Sequence, residues 1–156
     1  MYIALKSSLF IITIFVIASC SSNDVYFEYK SLKGSGWNKS SVIAFDFEIK
    51  DIQASYNVYV NVRNNGDYPY QNLWLFVHKT LPDSLLKKDT INFYLANDRG
   101  KWLGSGIGSV FDMPVLYQQN IKFTQTGKYT YKIIQAMRDT ILIGINDIGL
   151  RVEKVK

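Results

Sequence analysis

Apolar and polar residues alternate in short runs along the chain from Val25 to its last residue, and turn-forming residues separate the runs. Successive side chains of a β-strand point to opposite faces, so a period of two predicts strands that are buried on one face. One short segment, 136–142, is a candidate for a turn or two of helix. The predicted strands are 25–29, 42–49, 56–64, 73–79, 90–95, 120–123, 128–136 and 148–155, with 110–117 as a further strand that Pro114 restricts to a sheet edge or a bulge.

Eight or nine short strands without a competing helix indicate an all-β fold, and we expect a single β-sandwich of the jelly-roll or immunoglobulin-like type. The segment Asn64-Asn65-Gly66-Asp67 tolerates positive φ and predicts a hairpin between two of these strands. The alternation also predicts the residues that face the core, which are Ile43, Phe45, Phe47 and Ile49 in one strand and Tyr56, Val58, Val60 and Val62 in the next.

The N-terminal segment has a different character. Lys6 precedes an apolar stretch, 9–19, that is about half as long as the roughly 20 residues of a membrane-spanning helix, and small residues stand just before Cys20. This pattern is typical of a lipoprotein signal, in which the cysteine thiol receives diacylglycerol and the new N-terminus is acylated, for example with palmitate. The alternative is an ordinary secretory signal with an incidental cysteine. We predict a signal peptide at 1–19, a lipidated N-terminus and short tether at 20–24, and a β-sandwich domain at 25–156.

Charge and cysteine content exclude several classes of protein. The net charge is +5 and the basic residues are scattered, with Lys87-Lys88 as their longest run, whereas nucleic-acid binding needs clustered basic side chains. Cys20 is the only cysteine, so no disulfide can form within the domain and packing must stabilise it. The 11 Tyr, 9 Phe and 3 Trp residues provide large side chains for that packing.

Residues suited to catalysis or metal binding are sparse. His78 is the only histidine, so neither a zinc site nor a serine triad is well supported. Asp46 and Glu48 share a strand face at a separation of roughly 7 Å, as a glycosidase pair could, but alternating acidic residues are typical of a solvated strand. The glycines of 104–108 lack the spacing and the following helix of a phosphate-binding loop. We predict no enzyme, no metal and no cofactor.

Aromatic and amide residues follow the predicted hairpin turn. Exposed aromatic side chains beside amides form the binding patches of protein-binding and sugar-binding domains. Leu73 and Trp74 must face opposite ways, and a core position is the favoured interpretation for Trp74. The candidate interaction surface consists of Arg63, Tyr68, Tyr70, Trp74 and Trp102.

Five segments along the chain carry a further signal, and they are NVRN at 61–64, YPYQNLWLFV at 68–77, GKWLG at 100–104, QAMR at 135–138 and GINDIGLRVEK at 144–154. Together with the lipoprotein signal, these collinear segments resemble the gliding motility lipoprotein GldH family of the Bacteroidetes, across essentially the whole chain after the signal peptide. The resemblance implies a cell-envelope lipoprotein needed for gliding, a process whose machinery is allied to the type IX secretion system, and it carries over no catalytic residue. Ser21 follows the cysteine in place of the aspartate that retains lipoproteins in the inner membrane, so we expect an outer-membrane anchor with the domain in the periplasm.

The leading hypothesis is a non-enzymatic, lipid-anchored module that binds other envelope proteins. A glycan-binding module that stacks sugars on the aromatic candidates is the alternative, and a polysaccharide-cleaving enzyme ranks third. The chain also contains three Asp-Ser/Thr-aliphatic triplets, at Ser84, Thr90 and Thr140, which resemble the O-glycosylation acceptors of exported Bacteroidetes proteins. Because such pairs also favour turns and strand starts, modification and a local structural role both stay open.

Overall fold

The computed structural model describes residues 23–32, 34 and 36–156. Within them the chain forms strands and no helix, and two four-stranded antiparallel sheets make up most of the domain. The predicted signal peptide and Cys20 lie outside the described residues. The strands are β1 Asp24–Ser31, β2 Trp37–Asn38, β3 Ile43–Ile49, β4 Tyr56–Asn65, β5 Asn72–Thr80, β6 Leu86–Tyr94, β7 Val110–Ile121, β8 Gly127–Gln135, β9 Ile141–Leu142 and β10 Ile145–Lys154.

The strand order is that of a jelly roll. One sheet has the order β1-β10-β4-β7 and the other β3-β8-β5-β6, while the short strands β2 and β9 pair with each other. Strands that follow one another in the chain mostly alternate between the two sheets, as the interlocked Greek keys of a jelly roll require. This order confirms the predicted all-β sandwich and selects the jelly roll from the two expected types.

Most predicted strands are present, with differences at their ends. The run 110–117 and the first two residues of the run 120–123 form the single strand β7, and the rest of the second run lies in the following connection. β7 is an edge strand, as Pro114 requires because proline has no N–H to donate. β6 begins at Leu86, earlier than predicted, because its first residues are all exposed and show no alternation. β2 and β9 are too short to leave a pattern in the sequence.

The turn at Asn64-Asn65-Gly66-Asp67 reverses the chain but does not close a hairpin, so that prediction is wrong. β4 pairs with β10 and β7, whereas β5 pairs with β6 and β8 in the other sheet. Turn residues favour a reversal of direction, but the sheet that the next strand joins depends on the face it must bury. The turn is held by the segment before β10, where the Gly144 carbonyl oxygen accepts the Asn65 N–H at 2.9 Å.

The segment after β8 is not helical, so the helix considered at 136–142 is also wrong. The buried amide of Gln135 accepts a hydrogen bond from the Met137 N–H at 2.9 Å and donates one to the Asp139 carbonyl oxygen at 2.7 Å. These bonds satisfy backbone groups that a helix would pair with one another.

The core lies between the two sheets and is rich in aromatic side chains. All inward residues predicted for β3 and β4 are buried, which confirms the alternation in those strands. Aromatic packing of this kind stabilises a domain that has no internal disulfide. The rings around Phe47 have centroids 5.1 to 6.0 Å from its own and belong to Tyr26, Phe123, Tyr129 and Tyr131.

Loops group at the two ends of the sandwich. The end that we call the N-terminal end carries Asn23, the C-terminus and the connections 50–55, 81–85 and 122–126. The opposite end, called the distal end, carries the segments 66–71, 95–109 and 136–144. In the described part of the chain no helix is long and apolar enough to cross a bilayer. Because the strands run from one end to the other, the place of a residue along its strand determines how far the residue lies from the N-terminal end.

Candidate functional site

Two aromatic side chains of β5 lie on the outer face of the β3-β8-β5-β6 sheet. Leu73, Leu75 and Val77 are fully buried, while Trp74 is 43% exposed and Phe76 is 39% exposed. The core position favoured for Trp74 is therefore wrong. The aliphatic residues of β5 occupy the inner face and pack between the sheets, which leaves the aromatic residues in contact with solvent.

Neighbouring strands extend this outer face. On β6, Tyr94 lies opposite Asn72 and is 58% exposed. On β8, the half-buried side chain of Ile134 lies opposite Phe76. A sheet face that meets water is normally polar, so an apolar patch here needs a reason. We call this patch the aromatic face and define it by Tyr70, Trp74, Phe76 and Tyr94.

A hollow opens at the distal edge of the aromatic face. The Tyr70 hydroxyl donates a hydrogen bond to Asp139 Oδ2 at 2.8 Å, and this bond raises the pKa of Tyr70. The Trp74 backbone N–H donates to Met137 Sδ at 3.4 Å, and the Trp74 carbonyl oxygen accepts the Ala136 N–H at 2.9 Å. These contacts set the positions of the walls. The hollow has a volume of ≈ 440 Å³ and is lined by Tyr70, Asn72, Trp74, Ala136, Met137 and Arg138.

Tyr68 and Trp102 support the aromatic face from below. Tyr68 is buried, and its hydroxyl donates to the Asn72 carbonyl oxygen at 2.7 Å. The Tyr68 ring lies 5.9 Å from the ring of Tyr70 and 6.3 Å from that of the partly buried Trp102. Burial therefore removes Tyr68 from the predicted interaction surface and leaves Trp102 at its margin.

Arg63 lies on the opposite sheet and is engaged within the domain. Its Nε donates to Asp112 Oδ2 at 3.0 Å, and its guanidinium carbon lies 3.7 Å from the centre of the Tyr29 ring. The Tyr29 hydroxyl donates to the same carboxylate at 2.8 Å and accepts a bond from Asn61 Nδ2 at 3.1 Å. Partial burial and the bond to Asp112 raise the pKa of Tyr29 to about 12. Arg63 thus stabilises its own sheet and does not belong to the aromatic face.

The carboxylate pair on β3 has the environment of a solvated strand. Asp46 is exposed, accepts a hydrogen bond from Thr130 Oγ1 at 2.6 Å and pairs with Lys128 Nζ at 3.0 Å, and these contacts lower its pKa. A glycosidase general acid needs a raised pKa instead. Asp46 and Glu48 lie on an edge strand. No group of three His, Cys, Asp or Glu side chains among the described residues could hold a metal ion.

The three candidate O-glycosylation residues are all exposed. Ser84 lies at the tip of the β5–β6 connection with a φ of 66°, and Thr90 lies on β6 opposite Phe76. Thr140 lies just before β9, where its carbonyl oxygen accepts the Lys39 N–H at 2.8 Å. All three residues are accessible to solvent, and modification and a local structural role both stay open for them.

One exposed apolar side chain, Ile107, lies in a loop, where the alternation of strand residues makes no prediction. Ile107, between β6 and β7, is 99% exposed. A Cβ on Gly106 would lie 1.9 Å from the Val110 carbonyl oxygen, and Gly108 has a φ of 76°, so the loop requires these glycines. The glycines at alternate positions of 104–108 are the sequence feature that could have indicated an exposed side chain in this loop.

Together these features define a jelly-roll β-sandwich domain that exposes several aromatic side chains on the outer face of the β3-β8-β5-β6 sheet. The sequence model of the GldH lipoprotein family matches residues 24–152. The chain therefore belongs to the GldH lipoprotein family, which confirms the resemblance of the collinear segments.

Two relatives match nearly the whole chain. Gliding motility lipoprotein GldH homolog of Christiangramia forsetii is 39% identical over 153 aligned residues, with coverage of 94% of this chain and 93% of the relative. Gliding motility lipoprotein GldH of Flavobacterium johnsoniae is 36% identical over 156 aligned residues, with coverage of 96% of this chain and 96% of the relative. Membership of this family supports a gliding-motility lipoprotein held at the cell envelope by lipid.

Solved structures offer only a distant likeness. The infectious bursal disease virus VP2 subviral particle aligns with 86% of this chain and 31% of its own, at 15% identity and a TM-score of 0.35. A likeness at that level bears on neither the fold nor the function.

Proposed function

We propose that this chain is an outer-membrane lipoprotein of the gliding motility machinery, anchored through lipid on Cys20 with its domain in the periplasm. In this role it binds other envelope proteins of gliding and of the allied type IX secretion system, and it catalyses no reaction. The names of the two relatives support the gliding role. Ser21 after the cysteine supports retention at the outer membrane.

The aromatic face is the observation that carries the binding role. Aromatic side chains have about 150–250 Å² of surface each, so the exposed fractions of Trp74, Phe76 and Tyr94 leave roughly 250 Å² of apolar surface in water. At about 25 cal/mol per Å², covering that surface contributes about 6 kcal/mol before the costs of association. The kind of residue is more informative than the size of the patch, because Trp and Tyr dominate the energetics of protein interfaces.

Polar groups lie within the patch and at its edge. Asn72 donates to Asn92 Oδ1 at 3.0 Å, and because Asn72 lies opposite Tyr94 and Asn92 lies opposite Trp74, this bond runs between the two aromatic side chains. Arg138 is exposed at the hollow. Protein–protein interfaces combine aromatic side chains with several direct hydrogen bonds, and the amides of Asn72 and Asn92 provide polar groups for such bonds. A stable interface buries about 800 Å² on each partner, so the partner must extend beyond the rings onto the neighbouring strands or the distal loops.

A glycan-binding module is the second candidate, and the hollow beside Trp74 favours it. Sugar faces would stack on Tyr70 and Trp74, and sugar hydroxyls would bond to Asn72 and Arg138. A sugar in the hollow would leave Phe76 and Tyr94 uncovered, so this function explains less of the aromatic face. Binding on a glycan array that Tyr70→Ala abolishes and Tyr94→Ala leaves unchanged would favour the glycan module.

Two double substitutions test whether the partner binds the aromatic face or another part of the surface. We expect Trp74→Ala with Phe76→Ala to abolish gliding and type IX secretion in the native host, because the partner loses the centre of its interface. The lipoprotein itself should stay in the outer membrane at the wild-type amount, as immunoblots of membrane fractions would measure.

The matched control removes similar side chains from the other sheet. Phe27→Ala with Leu116→Ala truncates one aromatic and one aliphatic residue that are comparably exposed on the outer face of the β1-β10-β4-β7 sheet. We expect colony spreading and protein secretion to persist in this control. Normal spreading in the aromatic-face variant, or equal loss in both variants, would contradict the proposed function.

A further inference from the structure

We infer that the N-terminal end of the sandwich docks on the lipid bilayer, and that Leu85 and Leu86, beside the turn between β5 and β6, pass between the lipid headgroups and reach the acyl chains beneath them. The occupant of this surface is a phospholipid membrane. This docking rests on the lipid anchor at Cys20 in the proposed function and adds a second attachment at a defined place on the domain.

The chain between the anchor and the domain is short. Cys20 precedes Asn23 by three residues, and three residues span at most about 11 Å. Asn23 is already held, since its carbonyl oxygen accepts the Lys154 N–H at 2.9 Å. The headgroup layer on each side of a bilayer is about 5–7 Å thick. The N-terminal end of the sandwich therefore lies within reach of the headgroups.

Two exposed leucines lie at that same end, on the β6 side of the turn 82–86, which we call the tip. Leu85, the last residue of the β5–β6 connection, and Leu86, the first residue of β6, are 50% and 51% exposed. Two exposed lysines, Lys87 on β6 and Lys122 in the β7–β8 connection, line one surface slot beside them. Lysine stems are long enough for the ammonium groups to reach lipid phosphates while the leucines enter the layer below. This combination of side chains matches the interface between headgroups and acyl chains.

The tip has a defined shape before it meets a membrane. The Leu81 carbonyl oxygen accepts the Ser84 N–H at 2.9 Å, and the Leu81 N–H donates to the Leu85 carbonyl oxygen at 3.0 Å. Asp83 accepts the Leu85 N–H at 3.0 Å and a bond from Gln125 Nε2 at 2.8 Å, which ties the tip to the neighbouring connection. The leucines are thus presented without the entropy cost of ordering a loop.

The anchor and the tip lie at opposite corners of the N-terminal end. β1, which follows the anchor, is at one edge of its sheet and contacts β3, the nearer edge of the other sheet. β6, which follows the tip, is the far edge of that second sheet, so three inter-strand spacings of about 4.8 Å separate the corners by about 14 Å. Two attachments at this separation hold the strands upright and direct Tyr70 and Trp74, near the distal end, away from the bilayer.

Fluorescence quenching by brominated lipids tests this docking on the mature lipidated protein. Single cysteines that carry an environment-sensitive fluorophore replace Leu85 at the tip, Leu103 at the distal end, or Leu116 on the outer face of the β1-β10-β4-β7 sheet. These leucines are 50%, 49% and 43% exposed, so none of the substitutions opens the core. The vesicles consist of phosphatidylethanolamine and phosphatidylglycerol with brominated acyl chains, and lipid already occupies the native thiol of Cys20.

We expect the fluorophore at position 85 to be quenched. The fluorophores at positions 103 and 116 should keep their full fluorescence. Leu86→Asp should abolish the quenching at position 85 while the protein still floats with the vesicles. Quenching at position 116 in place of 85 would mean that the domain lies flat on its sheet and would overturn the inference. Absence of quenching at all three positions in protein that floats with the vesicles would also overturn it.

The protein without an introduced cysteine shows whether a negative result comes from the docking at the tip or from the lipid anchor. If Cys20 in that protein reacts with the maleimide fluorophore and the protein does not float with vesicles, the proposed lipid anchor fails, and the docking fails with it. If the protein floats and its thiol is blocked, the labelled positions report on the tip alone.

Discussion

Gly144 supports the aromatic face from beneath, and its replacement by alanine tests that support. It lies before β10 with a φ of 78°, and a Cβ at this position would lie 2.2 Å from the Tyr68 backbone nitrogen. Gly100 is the matched control, because its φ is 75° and a Cβ there would meet nothing within 4 Å. The two glycines share a conformational requirement and differ in the space around them.

The two substitutions should therefore differ in magnitude. Gly100→Ala pays only for the left-handed backbone conformation, about 1 kcal/mol of unfolding free energy. Gly144→Ala adds the displacement of a backbone segment, and overpacking of this kind costs about 1–3 kcal/mol more. With a urea m-value of about 2 kcal/mol per M, we expect the midpoint to fall by about 0.5 M for Gly100→Ala and about 1.5 M for Gly144→Ala.

Urea unfolding of the domain, followed by tryptophan fluorescence, measures these midpoints. The segment that Gly144→Ala displaces includes Tyr68, whose ring packs against Tyr70. We therefore also expect this variant, and not Gly100→Ala, to bind its partner less tightly. Equal midpoints for the two variants would refute the packing around Tyr68 and the support that it provides to the aromatic face.

Three further predictions concern other parts of the molecule. The pKa of Tyr29 is raised from 10.0 to about 12, so the hydroxyl loses its proton at a lower pH in the unfolded chain than in the folded domain. The stability that results from this difference is present below pH 10 and is lost as the pH rises towards 12. Urea midpoints measured across that range should fall less steeply for Tyr29→Phe than for the wild type, and an unchanged slope would contradict the assigned environment. Arg63→Ala and Asp112→Ala should show a coupling free energy of about 0.5–1 kcal/mol in a double-mutant cycle, because their side chains are 38% and 32% exposed and solvent screens the pair. Arg63→Ala should leave partner binding intact, and loss of binding would return Arg63 to the interaction surface. Glycopeptide mass spectrometry of protein from the native host should find Ser84 unmodified whatever the state of Thr90 and Thr140, since a sugar on Ser84 would hold the tip off the membrane.

Alternation in the sequence predicts strands better than it predicts their faces. β3 and β4 have distinct apolar and polar sides, so their buried residues could be identified in advance. β5 is apolar on both sides, with Leu73 and Leu75 opposed to Trp74 and Phe76, and periodicity then does not indicate which side faces the core. The structure buries the aliphatic side. A strand that is apolar on both faces was itself a signal that one sheet face could be an interaction surface.

Contacts between segments that are distant in sequence explain the other differences. Arg63 looked like a surface candidate because its partners, Tyr29 and Asp112, lie far from it in the chain. The turn after β4 carried the residues of a reversal, but they hold no information about which sheet β5 joins. Lipidation of Cys20 was read from the signal pattern and stays a prediction.

Binding of a partner protein to the aromatic face is tested most directly by photocrosslinking in live cells of the native host. A photoreactive amino acid replaces Phe76 on the aromatic face or Phe27, which is comparably exposed on the other sheet. We predict discrete crosslinks to envelope proteins from position 76, their loss when Trp74→Ala is added, and none from position 27. No product from position 76, or the same products from both positions, would contradict a binding role for the aromatic face.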